Sequence, residues 1–353
     1  MILKNKKIKA CVIGATGYTG SELVKILMKH PNVELKNITA KNYVGQRYDN
    51  IYENFRNINN SVCEEMNIYE LSESCDVIFI ALPHGVATNI IDEKVLENTK
   101  IIDLGADFRI KNYDIYENWY NVKHNAKDIL KYAVYGLCEI NRDSIKNTNI
   151  VANPGCYTTC SILSLMPLIK ENIIDFNSII IDAKSGVTGS GRALLTDSLY
   201  CEVNENLKAY KIASHRHTPE IEQELSSFCD KDINIIFTPH LVPMNRGILV
   251  TCYANLNDCY DYDYIKEVYQ KYYKDEYFIR ITKEDIFPQT RWVKGSNFVD
   301  IGFKIDYRTN RIIVVGAIDN IMKGASGQAV QNMNILFGID EKTGIDFIPS
   351  FPV

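Results

Sequence analysis

A cysteine stands at the end of a turn where a thiol could act as a nucleophile. In "VANPGCYTTC", residues 151–160, Asn-Pro-Gly turns the chain immediately before Cys156. The apolar stretch that follows predicts a helix beginning near this cysteine. The positive dipole end and free N–H groups of a helix N-terminus lower the pKa of a thiol. Cys156 is therefore a candidate nucleophile, whereas Cys160, one turn later, is expected in the core.

A histidine cluster could supply the acid or base that such a thiol needs. In "SHRHTPEIEQEL", Thr218 and Pro219 predict a helix start, with Thr218 as the N-cap and Pro219 in the first helical position. The positive end of the helix dipole disfavours an imidazolium, so His217 is expected to be neutral and able to accept or relay a proton. His215 is the second candidate. By its residues alone, the cluster fits an exposed loop equally well.

Glycines in "GATGYTG" predict a dinucleotide-binding turn. Gly14, Gly17 and Gly20 follow an apolar β run and precede a helical pattern. This context favours a turn whose backbone approaches a pyrophosphate over an ordinary glycine-rich turn. The end of the second strand carries Lys41 and no acidic residue to hold a ribose 2′-OH. A cation there suits the 2′-phosphate of NADP, although an ordinary surface lysine is nearly as good an interpretation.

A second glycine-rich loop, "KSGVTGSGR" at residues 184–192, follows another β run. Its free backbone N–H groups are typical of an anion-binding nest, and Arg192 could clamp the anion. A flexible hairpin is the alternative. A further polar cluster, His240 and Arg246, ends a later β run and has no role that the sequence assigns.

The composition limits the classes of protein to which the chain can belong. Its 353 residues suggest about two domains, and 46% hydrophobic residues allow sizeable cores. A net charge of -5 argues against nucleic acid or an anionic membrane as the main partner. Ten cysteines without a C-x-x-C pair favour neither a disulfide framework nor a metal site. With no signal-peptide pattern and no apolar run near the ~20 residues of a membrane span, we expect a soluble, cytoplasmic protein.

Two patterns of secondary structure follow one another along the chain. The first part alternates apolar β runs with helical segments, which predicts βαβ units and a parallel sheet. Later segments are β-rich and often alternate between apolar and polar residues, so we expect a mixed sheet with helices on one face and a partner on the other. The segment 320–339 is helical again and is expected to return to the first domain. The early β runs span residues 8–15, 33–40, 75–83 and 99–107.

Together, the motifs resemble the N-acetyl-gamma-glutamyl-phosphate reductase family. The resemblance extends from Lys9 to about Asn334, and eight motifs in order make it specific although no single one would. The family is related to aspartate-semialdehyde dehydrogenase and, more distantly, to the phosphorylating glyceraldehyde dehydrogenases. The motifs are "GATGYTG", "ALPHG", "DLGADFR", "NPGCY", "KSGVTGSGR", "HRHTPEI", "PHLVPMNRG" and "NIMKGASGQAVQNMN".

The resemblance implies an α/β fold made of a Rossmann-type NADP-binding domain and an α+β catalytic and dimerisation domain with a mixed sheet. The expected domains are residues 1–154 for NADP binding and 155–318 for catalysis and oligomerisation. Residues 319–353 are expected to return to the first domain as a helix and tail. The partner of the chain is then a second copy of itself, in a dimer or tetramer.

The resemblance also implies a reaction: NADPH reduces N-acetyl-L-glutamyl 5-phosphate to the 5-semialdehyde of N-acetyl-L-glutamate, with release of phosphate, in arginine biosynthesis. Cys156 matches the nucleophile, His217 the acid/base and Glu220 its orienting partner. The predicted cofactor contacts are Gly14, Ala15, Thr16, Gly17, Tyr18, Thr19, Gly20, Lys41, Pro83, Gly186, Gly189 and Asn320. The predicted substrate contacts are Arg109, Asn153, Arg192 and His215.

Three positions depart from the family pattern. Thr158 stands where Pro is common, Gly105 where Ser is common, and Lys41 where Arg is common. None removes a catalytic group. Two sister reductases remain as alternatives, one acting on N-acetyl-aminoadipyl phosphate and one on aspartyl phosphate. A non-catalytic NADP-binding regulator is a third, which would have no reason to combine Cys156, His217 and the second glycine loop.

Overall fold

The computed structural model describes residues 6–349, and the chain divides into two units. Within the described residues, the first unit comprises 6–154 and Ala325–Asp346, and the second comprises Gly155–Gly324 and 347–349. The chain therefore enters the second unit immediately before Cys156. Within the described residues, no helix combines the length and the apolar character that crossing a bilayer requires.

A parallel six-stranded sheet forms the centre of the first unit, in the order β2-β1-β3-β4-β6-β5. All four residues of β3 are buried, as expected for a parallel sheet covered on both faces. The strands are β1 (Ile8–Ile13), β2 (Val33–Thr39), β3 (Val77–Ile80), β4 (Lys100–Asp103), β5 (Val134–Tyr135) and β6 (Ile150–Ala152). The helices are α1 (Tyr18–Lys29), α2 (Tyr48–Ile51), α3 (Ile68–Ser74), α4 (Glu93–Asn98), α5 (Tyr113–Tyr120), α6 (Lys127–Leu130) and α7 (Cys138–Lys146).

The strand order reverses beside β1. The chain passes from β1 to β2 on one side and then to β3 on the other, so β1 and β3 flank a topological switch point. Ligands of open α/β sheets bind outside the carboxyl ends of the strands at such a point. Strands β1, β3 and β4 end two to four residues earlier than the sequence predicts, because the residues beyond them leave the ladder as loops at this edge.

A mixed seven-stranded sheet forms the centre of the second unit, in the order β11-β12-β13-β10-β7-β9-β8. The pairs β11/β12 and β7/β9 are parallel and the other pairs are antiparallel. The strands are β7 (Ile180–Ser185), β8 (Lys208–Ala209), β9 (Ile236–Leu241), β10 (Ile248–Asn255), β11 (Ile279–Ile281), β12 (Val299–Asp306) and β13 (Arg311–Ile318).

Helices cover one face of this second sheet. Helix α8 (Cys156–Lys170) packs against β10 and β13, and α10 (Thr218–Ser226) and α11 (Tyr262–Tyr273) pack against α8. Burial alternates along β10, so each second side chain faces these helices and the others lie on the opposite, partly exposed face. Helix α9 (Tyr200–Val203) is short, and the last helix, α12 (Gly327–Leu336), belongs to the first unit.

Single turns of tighter or wider helix join these elements. A π-helical turn spans Met322–Ser326, immediately before α12. Because π turns leave the regular hydrogen-bond ladder, they often accompany functional sites. The 3-10 turns are Glu53–Phe55, Ala87–Asn89, Phe176–Ser178, Val187–Ser190, Thr196–Ser198 and Thr290–Trp292.

Candidate active site

The residues predicted for the site are divided between the two units. The predicted cofactor turn and the histidine–cysteine cluster are each assembled within one unit. The first unit holds Gly14, Ala15, Thr16, Gly17, Tyr18, Thr19, Gly20, Lys41, Pro83, Arg109 and Asn153. The second holds Cys156, Gly186, Gly189, Arg192, His215, His217, Glu220 and Asn320.

The turn between β1 and α1 has no room for side chains at two of its glycines. Gly14 has a φ of +81°, and a Cβ added to it would lie 2.3 Å from the carbonyl oxygen of Ala81. A Cβ on Gly20 would lie 2.2 Å from the carbonyl oxygen of Gly14. Helix α1 then starts at Tyr18, and its N-cap is Gly17, which has no side chain to cap the helix. The first N–H groups of a helix have no intrahelical acceptor, so this end of α1 suits an anionic pyrophosphate.

Hydroxyl groups from outside the motif hold the outer side of this turn. Tyr48 donates to the carbonyl oxygen of Ala15 at 3.0 Å, and Tyr52 donates to that of Thr16 at 2.8 Å. Ser326 donates to the carbonyl oxygen of Thr19 at 2.9 Å. These bonds satisfy three carbonyls of the turn. Sequence analysis did not identify the three hydroxyl residues, because no motif links them to the glycines.

Lys41 and Pro83, two of the predicted cofactor contacts, lie just beyond strands of the first sheet. Both are exposed, and they follow the carboxyl ends of β2 and β3. Only Ala40 separates the last residue of β2, Thr39, from Lys41, so no acidic side chain intervenes at this strand end. The geometry leaves the Lys41 ammonium accessible to a phosphate.

Arg109 and Asn153 form hydrogen bonds around the turn that follows β6. The buried guanidinium of Arg109 donates to the carbonyl oxygens of Asn153 at 2.7 Å and Leu104 at 2.8 Å. The fully buried Asn153 amide donates to Ala325 O at 3.2 Å and accepts from Asn332 at 3.0 Å. These side chains therefore hold the turn that precedes Gly155, and their predicted contact with substrate stays a prediction.

Two buried carboxylates, Asp103 and Asp107, lie in the last residue of β4 and four residues after it, and sequence analysis gave neither a role. Asp107 accepts the N–H groups of Gly85 at 2.7 Å and Ala87 at 3.0 Å and the Tyr116 hydroxyl at 2.7 Å, which fixes the loop after β3. Burial and the neighbouring Asp107 raise the pKa of Asp103 to about 7. A buried carboxylate needs hydrogen-bond donors around it, and the spacing of residues in the sequence does not show which residues supply them.

Cys156 is the first residue of α8, as the turn predicts, and its N-cap is Gly155. The fully buried Glu220 accepts the Gly155 N–H at 2.9 Å, and the Thr158 hydroxyl lies 2.8 Å from the same carboxylate oxygen. Thr158, which replaces the proline common in the family, thus adds a polar contact. The carboxylate of Glu220 holds the turn that carries the thiol. Cys160 is fully buried, as expected.

The two histidines have different environments. His217 is the N-cap of α10, so the prediction that Thr218 is the N-cap is wrong by one residue, because the helical conformation already begins at Thr218. The backbone N–H of His217 donates to His215 Nδ1 at 3.1 Å. Burial, reinforced by His217, Lys211 and Arg216, lowers the pKa of His215 to about 2. His215 is therefore neutral near pH 7, with Nδ1 as the acceptor, and its neighbour His217 is the better candidate for proton transfer.

Aromatic side chains orient both histidines. The Tyr157 ring meets the rings of His215 and His217 edge-on, at centroid distances of 5.6 and 5.9 Å. Tyr210 donates to the Tyr157 hydroxyl at 3.2 Å. Burial raises the pKa of both phenols, that of Tyr210 to about 12, so both remain protonated at neutral pH. Sequence analysis did not identify Tyr210, which the fold brings to the cluster.

Asn320 contacts the second glycine loop. Its Oδ1 accepts the Gly247 N–H at 2.7 Å, and its Nδ2 donates to the Thr188 hydroxyl at 3.0 Å. Thr188 belongs to the 3-10 turn Val187–Ser190, which follows the buried Gly186. Gly189 and Arg192 are exposed. The structure thus brings Asn320 and this loop together, and leaves the end of the loop with Arg192 accessible.

Named reductases resemble this chain over nearly its whole length. It is 54% identical over 345 residues to the N-acetyl-gamma-glutamyl-phosphate reductase of Lachnoclostridium phytofermentans, covering 98% of this chain and 100% of the relative. It is 54% identical over 341 residues to the reductase of the same name from Campylobacter jejuni subsp. jejuni, covering 97% and 98%. The chain belongs to the N-acetyl-gamma-glutamyl-phosphate reductase family. The resemblance inferred from the eight motifs is confirmed.

Two family models divide the sequence much as the structure does. Residues 9–148 match the semialdehyde dehydrogenase NAD binding domain, and residues 156–320 match the semialdehyde dehydrogenase dimerisation domain. The chain is therefore an oxidoreductase of the semialdehyde dehydrogenase group with a nicotinamide-dinucleotide-binding domain. The α/β fold class is confirmed, and so is the prediction of this class of cofactor.

Solved structures share the fold at much lower identity. Aspartate semialdehyde dehydrogenase II of Vibrio cholerae, solved with ASA, superposes with a TM-score of 0.70 at 18% identity, covering 94% of this chain and 98% of that one. The aspartate semialdehyde dehydrogenase of Candida albicans, solved with NADP, has a TM-score of 0.68 at 17% identity, covering 96% and 99%. These likenesses support the fold and carry no residue roles.

Proposed function

We propose that the chain reduces N-acetyl-L-glutamyl 5-phosphate to N-acetyl-L-glutamate 5-semialdehyde with NADPH, through a thioester on Cys156. The observation that carries the proposal is the thiol at the first residue of α8, whose neighbour Tyr157 packs edge-on against a histidine pair in which a neutral His215 anchors His217. Two relatives more than half identical over nearly the full length carry the name of this activity.

The first unit offers a turn that fits a dinucleotide. A Cβ would fill the cradle at Gly14 and Gly20, so the backbone alone can approach a pyrophosphate at the start of α1. Lys41 would pair with the 2′-phosphate that distinguishes NADP from NAD. In the second unit, Gly186, Gly189 and Asn320 are the residues proposed near the nicotinamide. When bound, the cofactor supplies the hydride for the reduction.

The first chemical step belongs to Cys156. The thiolate attacks the acyl carbon, the bond between that carbon and the phosphate oxygen breaks, and phosphate leaves with its electron pair. A thioester remains on Sγ. The first N–H groups of α8 point out of the helix end, and their partial positive charge stabilises both the thiolate and the oxyanion of the tetrahedral intermediate.

His217 handles the proton of the second half-reaction. Once the thioester is reduced to a hemithioacetal, His217 donates a proton to its oxygen and takes it back as the carbon–sulfur bond breaks and the aldehyde leaves. Such a positioned acid or base contributes about 10²–10⁴-fold to the rate. Arg192, exposed at the end of the second loop, is the proposed clamp for a phosphate or carboxylate group.

The partly exposed face of the second sheet is the proposed contact between two copies of the chain. On β7 and β9 it carries Ile180, 37% exposed, and Ile236, 61% exposed, and Val315 on β13 is half-buried. The family model that covers this sheet is named for dimerisation. Light scattering should therefore give a dimer or a larger oligomer for the wild type and a smaller species for Val315→Asp. A monomeric wild type, or a variant of unchanged mass, would exclude this contact.

The deciding experiment follows NADPH formation in the reverse direction. Purified protein is given NADP, phosphate and one aldehyde: N-acetylglutamate semialdehyde, its N-acetyl-aminoadipate homologue, or aspartate semialdehyde. We expect phosphate-dependent absorbance at 340 nm with the first aldehyde. Activity with only one of the others would replace the substrate and keep the thioester chemistry. No turnover with any aldehyde, despite tight NADPH binding, would favour the non-catalytic regulator.

A further inference from the structure

Arg246 and Asp319 form an ion pair at the start of the segment 319–324, which leads into the π-helical turn Met322–Ser326. Arg246 Nε lies 3.0 Å from Asp319 Oδ2, and Arg246 Nη2 lies 3.0 Å from Oδ1. The Asp319 side chain is fully buried, and that of Arg246 is 20% exposed. Burial of a carboxylate is costly unless several hydrogen-bond donors replace the lost water. The other donors to Asp319 therefore show which segments the ion pair holds in place.

The Asp319 carboxylate organises the backbone on both sides of it. Oδ1 accepts the N–H groups of Ile321 at 2.8 Å and Met322 at 3.0 Å, while Oδ2 accepts the Gly295 N–H at 2.7 Å. The carbonyl oxygen of Asp319 accepts the Gly324 N–H at 3.0 Å, across the five residues that define a π turn. Residues 319–324 are therefore tied to one charged side chain.

The end of this turn lies against the nucleophile. A Cβ added to Gly324 would lie 2.7 Å from the Cβ and 3.1 Å from the Cα of Cys156. The glycine backbone thus packs directly on the residue that carries the thiol. A shift of this turn would therefore change the packing around Cys156, and with it the preferred rotamer of the Cys156 side chain.

The same ion pair reaches the second glycine loop. Arg246 lies between Asn245, whose carbonyl oxygen accepts the Thr188 hydroxyl at 2.6 Å, and Gly247, whose N–H donates to Asn320 Oδ1 at 2.7 Å. Asn320 itself donates to the Thr188 hydroxyl. The ion pair therefore joins two segments, 245–247 and 319–320, and both segments contact Thr188 in the Val187–Ser190 turn.

We propose that Arg246 and Asp319 are positioning residues that set the thiol of Cys156 by holding the 319–324 turn against it. The proposal rests on the proposed role of Cys156 as nucleophile. It gives a function to the arginine of "PHLVPMNRG", for which neither its spacing nor its residue type indicated one. The pair acts through Gly324 and Asn320. Arg246 and Asp319 themselves neither make nor break a bond to the substrate.

A second ion pair in the same unit provides a matched control. Arg280 Nε lies 2.6 Å and Nη2 3.0 Å from the two oxygens of Asp300, which is also buried. This pair lies on β11 and β12, at the far edge of the sheet from β7 and β9. Loss of its charge should lower stability much as loss of the Asp319 charge does, without reaching the thiol.

The experiment compares Asp319→Asn with Asp300→Asn in the full-length protein. Three quantities are measured: kcat and KM, the dissociation constant for NADPH, and the alkylation rate of Cys156 by iodoacetamide, followed by peptide mass mapping. For Asp319→Asn we expect kcat to fall by about 30-fold or more and alkylation to change by at least about 5-fold. NADPH binding should weaken by a smaller factor than kcat falls, because the adjacent Asn320 is a proposed cofactor contact. For Asp300→Asn we expect kcat and alkylation within about 2-fold of the wild type.

Two further variants keep the test decisive. Arg246→Lys retains the charge and should give an intermediate kcat, which covers the case in which Asp319→Asn does not fold. Gly324→Ala leaves the ion pair intact and should slow turnover by pushing on Cys156. Equal effects of the two Asp→Asn changes, or a wild-type kcat in Gly324→Ala, would overturn the proposal. Because alkylation needs no turnover, the positioning role is tested even if the proposed substrate is wrong.

Discussion

Helices α1 and α8 each follow a strand of the first sheet through a short turn and start at a glycine N-cap without a side-chain cap bond. At α1 the N–H groups of Gly14 and Ala15 donate to Thr39 O at 3.1 and 3.0 Å, and hydroxyls from distant segments donate to the carbonyl oxygens of the turn. At α8 the turn is held by the side chain of Glu220, 65 residues further along the chain from Gly155.

The difference follows from what each helix end must stabilise. The anion at α1 is brought by a ligand, so the turn needs only to keep side chains away and leave N–H groups available. The anion proposed at α8 is the thiolate of Cys156 itself, so the turn must set the position of one sulfur atom. The distant contacts at α8 therefore act on the N-cap and on Cys156 itself: Glu220 accepts the Gly155 N–H, and Gly324 packs against Cys156.

Cys156→Ser should have the largest effect, because it removes the anion from the α8 end. A serine hydroxyl has too high a pKa to ionise there, so turnover should fall by at least about 10⁴-fold. NADPH binding, measured by fluorescence titration, should stay within about 2-fold, since the cofactor turn lies in the first unit. Cys201→Ser, at an exposed thiol, is the control and should be fully active. Substantial residual activity in Cys156→Ser would remove the functional contrast between the helices.

Gly14→Ala tests the α1 end in the same way. Its Cβ would meet Ala81 O at 2.3 Å in a positive-φ conformation, so we expect NADPH to bind at least about 10³-fold more weakly. Gly45→Ala is the matched control, because Gly45 also has a positive φ of +79° but has open space around its Cβ. Titration and thermal unfolding separate lost binding from lost folding. Equal losses of NADPH affinity in Gly14→Ala and Gly45→Ala would show that the positive φ, and not the close contact with Ala81, causes the loss.

Glu220→Ala should show that the α8 turn depends on tertiary contacts. It leaves the buried Gly155 N–H and the Thr158 hydroxyl without their carboxylate acceptor, which should lower the free energy of unfolding by about 3 kcal/mol. Glu220→Gln keeps an acceptor oxygen and should recover most of that loss. Urea unfolding monitored by circular dichroism gives both values. If Gln is as damaging as Ala, the charge and not the hydrogen-bond acceptor holds the turn.

His215→Asn tests the anchoring of the histidine pair. Burial lowers the folded-state pKa of His215 to about 2, below the ~6.5 of an unfolded chain, so its neutral form stabilises the fold fully above pH 6.5. That stabilisation is lost as the pH falls below 6.5, by about 2 kcal/mol between pH 7 and pH 5. Asn keeps an acceptor for the His217 N–H but does not titrate.

The measurement for this prediction is the urea midpoint of both proteins at pH 7 and pH 5. His30 and His124 also have pKa values lowered by burial, so the wild type loses stability from several groups, and the variant should lose about 2 kcal/mol less. An identical pH dependence in the two proteins would mean that the pKa of His215 in the folded state is close to its value in the unfolded chain.

Lys41→Ala should have the smallest effect and bears on the ligand bound at α1. Removing a cation that pairs with the 2′-phosphate should raise the KM for NADPH by about 10-fold, the value of one charge-assisted hydrogen bond. NADH lacks that phosphate, so its KM is the internal control and should not change. A proportionate rise for both cofactors would place Lys41 in general binding and not in the choice of NADP.

Patterns that are local in sequence were readable from the chain alone. The glycine turn before α1, the start of α8 at Cys156 and the alternation of strands with helices each depend on residues within about ten positions of one another. Backbone sterics and the helix dipole act over that range. The order of the eight motifs also sufficed to identify the family, because relatives keep these local devices in the same sequence.

Only the tertiary structure decided which side chains serve those devices. Nothing in the sequence links Glu220 to the Cys156 turn or Asp319 to Arg246, and burial assigns His215 an anchoring role that the residue type alone left open. Hydrogen bonding and desolvation act through space between segments far apart in the chain. The sequence by itself therefore determined the two helix ends, while the fold determined how the thiol of Cys156 is held and why His215 is neutral.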